Sequence, residues 1–169
     1  MYETINATTS DVDLTQADPV AWRVLHQLDT TTDAVTAMAY HLRILTHLLA
    51  VADHRHLDGY TAELIAAVDT HDQVRGQLDV ELAAARQAWG LLPGTSLREV
   101  VDAAPAAVVE ALRTAMEGLR SVTEELREDG TTANALAEAA VRIVEQRCAG
   151  LERGLPETYR AESDRTPGR

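Results

Sequence analysis

Apolar residues recur at intervals of three and four along most of the chain, which is the spacing of one face of an α-helix. The first stripe follows Asp18 and Pro19, which suit the N-cap and the first helical position. It predicts a long helix. Because the threonines at 30–32 are poor helix formers, a kink there or a later helix start near Thr32 is also possible. The stripe consists of Trp22, Leu25, Leu28, Thr32, Val35, Met38, Leu42, Leu45, Leu49 and Ala52.

Two more stripes follow and predict two more long helices. A reversal is expected between Asp53 and Gly59, after which the second stripe runs to a helix end near Trp89 through Leu57, Tyr60, Leu64, Ala67, His71, Val74, Leu78, Ala85 and Ala88. The third stripe starts at Pro105 and comprises Val108, Leu112, Ala115, Leu119, Val122, Leu126, Ala133, Leu136, Ala140, Ile143, Arg147 and Leu151. The spacing of three and four continues without a shift across residues 129–132. This favours one helix that is locally weakened at Gly130 over two separate helices.

The segment between the second and third stripes is predicted to form a turn. Gly90 can end a helix in the left-handed conformation, and Pro93 prevents the helix from resuming. Ser96 and Glu99 have the spacing of a capping box, which predicts a short helical turn. Trp89 is expected to anchor this end of the molecule.

These patterns together predict an all-α fold. The expected architecture is an elongated antiparallel three-helix bundle with coiled-coil-like packing and a short helical turn between helices 2 and 3. Residues 18–155 form the single helical-bundle domain, residues 1–17 a flexible acidic N-terminal tail, and residues 156–169 a flexible C-terminal tail.

Composition narrows the class of partner and compartment. The chain has 27 acidic and 15 basic residues and a formal net charge of -12, which disfavours nucleic acid and anionic membrane surfaces as partners. The N-terminus lacks the basic and apolar regions of a secretion signal, and no apolar run has the length of a membrane span. We therefore expect a cytoplasmic protein without stable membrane insertion.

Candidate chemistry is sparse. Asp53, His54, His56 and Asp58 crowd a single turn, whereas bundle metal sites take ligands from facing helices. Cys148 lies near the end of the third helix, where the helix dipole opposes a thiolate. We therefore expect no catalytic residue, no cofactor and no metal, so that the chain is not an enzyme; a metal-dependent bundle enzyme that uses the histidines is the competing hypothesis.

The third stripe beyond Gly130 is the candidate partner-binding face. Small residues beside it would allow another helix to approach closely, and Glu138 and Glu145 would flank a bound helix. The competing interpretation is that helices 1 and 2 bury this face within the bundle. The candidate partner-binding residues are Leu136, Ala140, Ile143, Val144, Arg147 and Leu151.

The segment between the second and third stripes, residues 90–105, which we call the linker, also resembles a known family. Residues 90–100, GLLPGTSLREV, and residues 102–105, DAAP, resemble the glycine-leucine-proline, serine-leucine-arginine-glutamate and alanine-proline segment of FlgN-type flagellar export chaperones. The similarity extends to Tyr40-His41-Leu42, to residues 49–57 and 119–126, and to Asn134 and Leu136, so that it spans roughly residues 35 to 152.

The resemblance implies a chaperone of flagellar type III export. Such proteins bind C-terminal amphipathic segments of the hook-filament junction (hook-associated) proteins and deliver them to the export gate, using a surface in the C-terminal region. The alternative from a different class is a structural coiled-coil scaffold that uses its stripes for self-association, with a homodimer as its simplest form.

Overall fold

The computed structural model describes residues 18–51 and 53–154, and the side chains among them except those of residue 54 and residues 147–154. The predicted tails at 1–17 and 156–169 lie outside these residues, as do Ala52 of the first stripe and residue 155. The described chain is all helical and contains no strand, which confirms the predicted fold class. Its helices are α1 (Pro19–Ala50), a 3-10 turn (His54–His56), α2 (Leu57–Ala88), α3 (Leu97–Asp102) and α4 (Val109–Gly154).

Helix α1 begins as the sequence predicts and continues without a break. The Asp18 carboxylate accepts a hydrogen bond of 2.9 Å from the Val20 N–H, and Pro19 is the first helical residue. The hydroxyls of Thr30, Thr31 and Thr32 each donate to the carbonyl four residues earlier, at 2.7–2.9 Å. Because these hydroxyls are satisfied within the helix, the threonine run neither delays its start nor interrupts it.

The capping residues of the linker also behave as predicted. Gly90 has the predicted left-handed conformation, with a φ of 66°. Gly94, for which the sequence analysis made no such prediction, also has a positive φ, of 87°. The Ser96 N–H donates to the Glu99 carboxylate at 2.9 Å, and the Ser96 hydroxyl accepts from the Glu99 N–H at 3.4 Å, which completes the capping box of α3. The Trp89 Nε1–H donates to the Asp18 carboxylate at 2.7 Å and ties the end of α2 to the start of α1.

Helix α1 packs against both α2 and α4. Arg23 forms an ion pair with Glu81 at 2.8 Å, and His41 Nδ1 lies 3.3 Å from a carboxylate oxygen of Glu63, so α1 and α2 run antiparallel. Arg43 pairs with Glu125 and Asp129, and Leu25 lines one cavity with Ala111, so α1 and α4 run parallel. Among the described residues, no Cα of α2 comes within 8 Å of a Cα of α4, so these two helices are farther from each other than either is from α1.

The best-packed core lies at the linker end of the molecule. Val24, Leu28, Val100, Val101 and Leu112 are fully buried there, in one cluster with residues of α2. Two details of the second stripe are wrong at this end: Leu82, which it omits, is buried, and Ala88, which it includes, is exposed. Ala88 is the last residue of α2.

The first stripe is wrong at its start. Trp22 is 50% exposed, whereas Ala21 and Val24 are fully buried. Helix α1 is covered from two sides, so its buried arc is wider than a single stripe, and small residues allow the close approach of its neighbours at this end. The large indole of Trp22 lies outside that arc.

The third helix begins later than its stripe indicates. The carbonyl of Pro105 accepts hydrogen bonds from the N–H groups of Val108 and Val109 at 2.9 and 3.1 Å, and α4 starts at Val109. Pro105 therefore opens a tight turn that precedes the helix. From Val109 the helix is continuous through Gly130 to Gly154, as the unbroken phase predicts. Within the described residues, every helix falls short of the combined length and apolarity that crossing a bilayer requires.

Candidate partner-binding face

Helix α4 extends beyond the end of α1. Leu42 lies against Gly130, and Leu49 lines a cavity with Ala137, whereas α1 ends at Ala50. Helix α4 continues to Gly154, so about 17 residues, or about 25 Å of helix, extend past its neighbour. We call residues 138–154 the overhang; the described side chains at 141–146 within it are all exposed.

The predicted partner-binding residues fall at the transition from packed helix to overhang. Leu136 and Ala140 are half-buried, while Ile143 and Val144 are 51% and 59% exposed. Helices 1 and 2 therefore do not bury this face at Ile143 and Val144, contrary to the competing interpretation. Arg147 and Leu151 belong to α4, and their side chains lie outside the described residues.

The exposed apolar face continues the one that packs against α1. Ala133, Leu136, Ala140 and Ile143 follow one another at intervals of three and four, so they share one side of the helix. Val141, which is 56% exposed, widens this face and was missed by the sequence prediction. The signal that would have found Val141 is its position four residues after Ala137.

A groove opens next to the overhang, and sequence reasoning did not foresee it. Its floor consists of Leu42, Leu45 and Leu49 of α1, and its walls include Thr61 of α2 and Ala133 and Ala137 of α4. The cavity measures about 430 Å³. We call it the distal groove; it lies between α2 and α4, of which no two described Cα atoms come within 8 Å of each other.

Arg43 fixes α4 to α1 just before the groove. Its guanidinium donates to Glu125 at 2.9 Å and to Asp129 at 2.7 Å, and these hydrogen bonds raise the pKa of Arg43, with the larger effect from Glu125. All three side chains are at least partly exposed, so this clamp is sensitive to salt. It joins α4 to α1 within the packed part of α4, before the overhang begins.

The carboxylates around the groove are not neutralised. Glu138 accepts a hydrogen bond of 3.0 Å from the Asn134 amide, and Asp58 and Glu145 are exposed. Among the described side chains, none of these three carboxylates has a cationic partner within 4.0 Å. Around the groove and the described part of the overhang, residues 138–146, these three carboxylates face one guanidinium, that of Arg142, so this part of the apolar surface has a net negative border.

The histidine cluster at 54–56 is described only in part, because the side chain of His54 lies outside the described ones. Arg55 binds Asp53 through two side-chain hydrogen bonds of 2.9 and 3.0 Å, and no three metal-ligating side chains come together among the described residues. The structure does bring His41 to Glu63 across the α1–α2 contact. The 3.3 Å separation satisfies an ion-pair distance, but the buried His41 Nδ1 has no hydrogen bond of acceptable geometry in that region.

The linker that carries the family resemblance lies at the opposite end of the molecule from the overhang. Val100 and Val101 enter the core there, and Ser96 and Glu99 cap α3, so its residues have a structural role. No family model, curated protein or solved structure matches the chain. The resemblance to FlgN-type chaperones therefore depends on the sequence motifs alone.

Proposed function

We propose that this chain is a cytoplasmic chaperone of flagellar type III export, of the FlgN type. In this proposal it binds C-terminal amphipathic segments of hook-associated proteins and delivers them to the export gate. The long helices act as an elongated antiparallel three-helix bundle with coiled-coil-like packing, from which α4 presents the binding residues. The observation that carries the proposal is the exposed apolar face of the overhang.

The energetics of capture favour this face. Val141, Ile143 and Val144 are each more than half exposed, and burial of such side chains against a partner helix contributes roughly 1 to 2 kcal/mol apiece. An amphipathic helix supplies the complementary apolar face at matching intervals. Glu138 and Glu145 then favour one register through their charges.

A double substitution tests the proposal. The change of Ile143→Asp together with Val144→Asp places two charges on the apolar face, and we expect it to abolish co-purification with a tagged C-terminal segment of a hook-associated protein. The helical signal in circular dichroism is expected to stay unchanged, because both side chains are exposed. The matched control is Val80→Asp with Leu92→Asp, two exposed apolar residues toward the linker end. Failure of the wild-type chain to capture the segment would refute the proposed function, and undiminished capture by the Ile143/Val144 variant would refute the overhang as its binding face.

The same exposed face also supports the scaffold function. A second copy that covers the overhang would bury the apolar side chains equally well. Light scattering of the purified chain without any partner separates the two functions. A stable oligomer that the Ile143/Val144 variant dissolves favours the scaffold, and a monomer that binds the hook-associated segment favours the chaperone.

A further inference from the structure

The distal groove is bordered by three helices and open on its fourth side. Leu42 and Leu49 are only half-buried at its floor, and Thr61 is exposed at its α2 wall. Since no described Cα of α2 lies within 8 Å of one in α4, neither helix closes the groove over α1. An additional helix laid between α2 and α4 would cover the apolar floor.

The α4 wall suits the close approach of such a helix. Gly130, Ala133 and Ala137 line it, and small side chains permit helix axes to come to the short end of the usual 8–10 Å separation. The wall leads directly into the overhang, since Ala140 and Val144 continue the same side of α4. From Gly130 to Gln146 the combined surface is about 24 Å long, the length of a helix of about 16 residues.

Charge identifies the kind of helix that fits. Asp58 follows Leu57 at the start of α2, Glu138 follows Ala137 on α4, and Glu145 lies on the overhang; all three are exposed. Arg142 is the one cation between Glu138 and Glu145 on the described overhang, which leaves this border negative. A second copy of the chain would bring another net charge of -12 to it, whereas a helix with Lys or Arg beside its apolar face complements it.

We propose that the distal groove and residues 138–146 of the overhang form one docking surface for an amphipathic helix whose apolar face is flanked by basic residues. The inference rests on the proposed function, because both use the overhang. It adds the groove as part of the surface and specifies the charge of the partner. The bound helix packs on the leucine floor between α2 and α4 and continues along Ala140 and Val144.

Two synthetic peptides test the charge of the partner. Both are helical, have about 18 residues and share an apolar face of Leu and Ala; one carries Lys at the flanking positions and the other carries Glu. Binding to the full chain is measured by fluorescence anisotropy at physiological salt. We expect the Lys peptide to bind at least about tenfold more tightly than the Glu peptide.

Matched variants test the groove. Thr61→Trp fills it from the exposed α2 wall, and Thr131→Trp makes the same change at an exposed helical threonine of α4 that does not line the groove. We expect the first to weaken binding of the Lys peptide at least about tenfold and the second less than about twofold. A charge pair gives an independent measure: Asp58→Asn with Glu138→Gln is expected to weaken binding more than the exposed control pair Asp69→Asn with Glu128→Gln, which changes the net charge equally.

The outcomes separate this inference from the proposed function. Equal binding of the two peptides, or full binding by Thr61→Trp, overturns the docking surface. The proposed function fails instead if the hook-associated segment does not bind the wild-type chain. If that segment binds wild type and Thr61→Trp alike but not the Ile143/Val144 variant, the overhang alone is the site and the groove is excluded. A dimer that Thr61→Trp dissociates would make a second copy the occupant and would also overturn the inference.

Discussion

Asp18 shows how one side chain closes the linker end of the molecule. Its carboxylate caps α1 through the Val20 N–H and also accepts the indole N–H of Trp89 at 2.7 Å. These two hydrogen bonds, the one from Trp89 foremost, lower the pKa of Asp18. The lowered pKa means that the ionised carboxylate stabilises the folded state.

Replacement of Asp18 by Ala removes both hydrogen bonds. We expect Asp18→Ala to reduce the free energy of unfolding by about 1 to 2 kcal/mol at neutral pH. Because the folded pKa lies below the unfolded one, this contribution is complete above the ordinary aspartate pKa of about 4 and is lost as the pH falls further. Urea unfolding followed by circular dichroism at a series of pH values measures it.

The control for Asp18 is Asp33→Ala, an exposed aspartate within α1 that has no side-chain hydrogen bond to another described residue. It is expected to change the free energy of unfolding by less than about 0.5 kcal/mol at any of these pH values. A difference between wild type and Asp18→Ala that does not shrink in acid would show that the charge of Asp18 is not what stabilises the cap.

At the scale of the elements, the ends of the helices are fixed by local chemistry. Helix α2 stops where Gly90 adopts a φ of 66°, and α3 starts at the Ser96 and Glu99 capping box. The sequence predicted both, because glycine freedom and capping spacing are properties of a few adjacent residues. Their energies are therefore testable one residue at a time.

Two glycine substitutions are expected to have opposite signs. Gly90→Ala forces a side chain into the left-handed region and should destabilise the fold by about 1 kcal/mol, although a Cβ there would meet nothing within 4 Å. Gly76→Ala lies inside α2, also has free space, and should stabilise by about 0.5 to 1 kcal/mol. Thermal unfolding compares the two. Destabilisation by Gly76→Ala would contradict the assignment of that residue to an unstrained, exposed helix position.

What the sequence could not predict concerns which helix covers which face. The stripes located the long helices and the continuity through Gly130, because these depend on period alone. Trp22 was misplaced because its exposure depends on α1 being covered from two sides, which is a tertiary property. For the same reason the stripe at Ile143 could not reveal whether a neighbour buries it. The distal groove required the separation of α2 from α4, of which no sequence pattern gives a sign.

At the scale of the whole molecule, stability and the candidate binding surface occupy opposite ends. The fully buried residues cluster near the linker, where α1, α2, α3 and α4 meet. The other end has a half-open groove and an exposed helix. A binding surface of this kind can expose apolar side chains while the distant core keeps the fold intact.

This separation predicts the effect of removing the overhang. Of the described side chains, a chain that ends after Ala140 loses those at 141–146, which are all exposed, and we expect its free energy of unfolding to fall by less than about 1 kcal/mol. Leu112→Ala, at a fully buried position, should cost about 2 to 5 kcal/mol. Urea unfolding gives both values under the same conditions.

The truncated chain should nevertheless lose the hook-associated segment in co-purification, whereas a mildly destabilised full-length chain such as Gly90→Ala should retain it. This comparison separates loss of the binding surface from loss of stability. The truncated chain is expected to be the more stable of the two proteins and yet not to bind the segment. If truncation destabilises as much as Leu112→Ala, the overhang is packed in solution, as a self-associating scaffold requires. If the truncated chain still captures the segment, the binding residues lie before Val141, and the distal groove becomes the surface to examine.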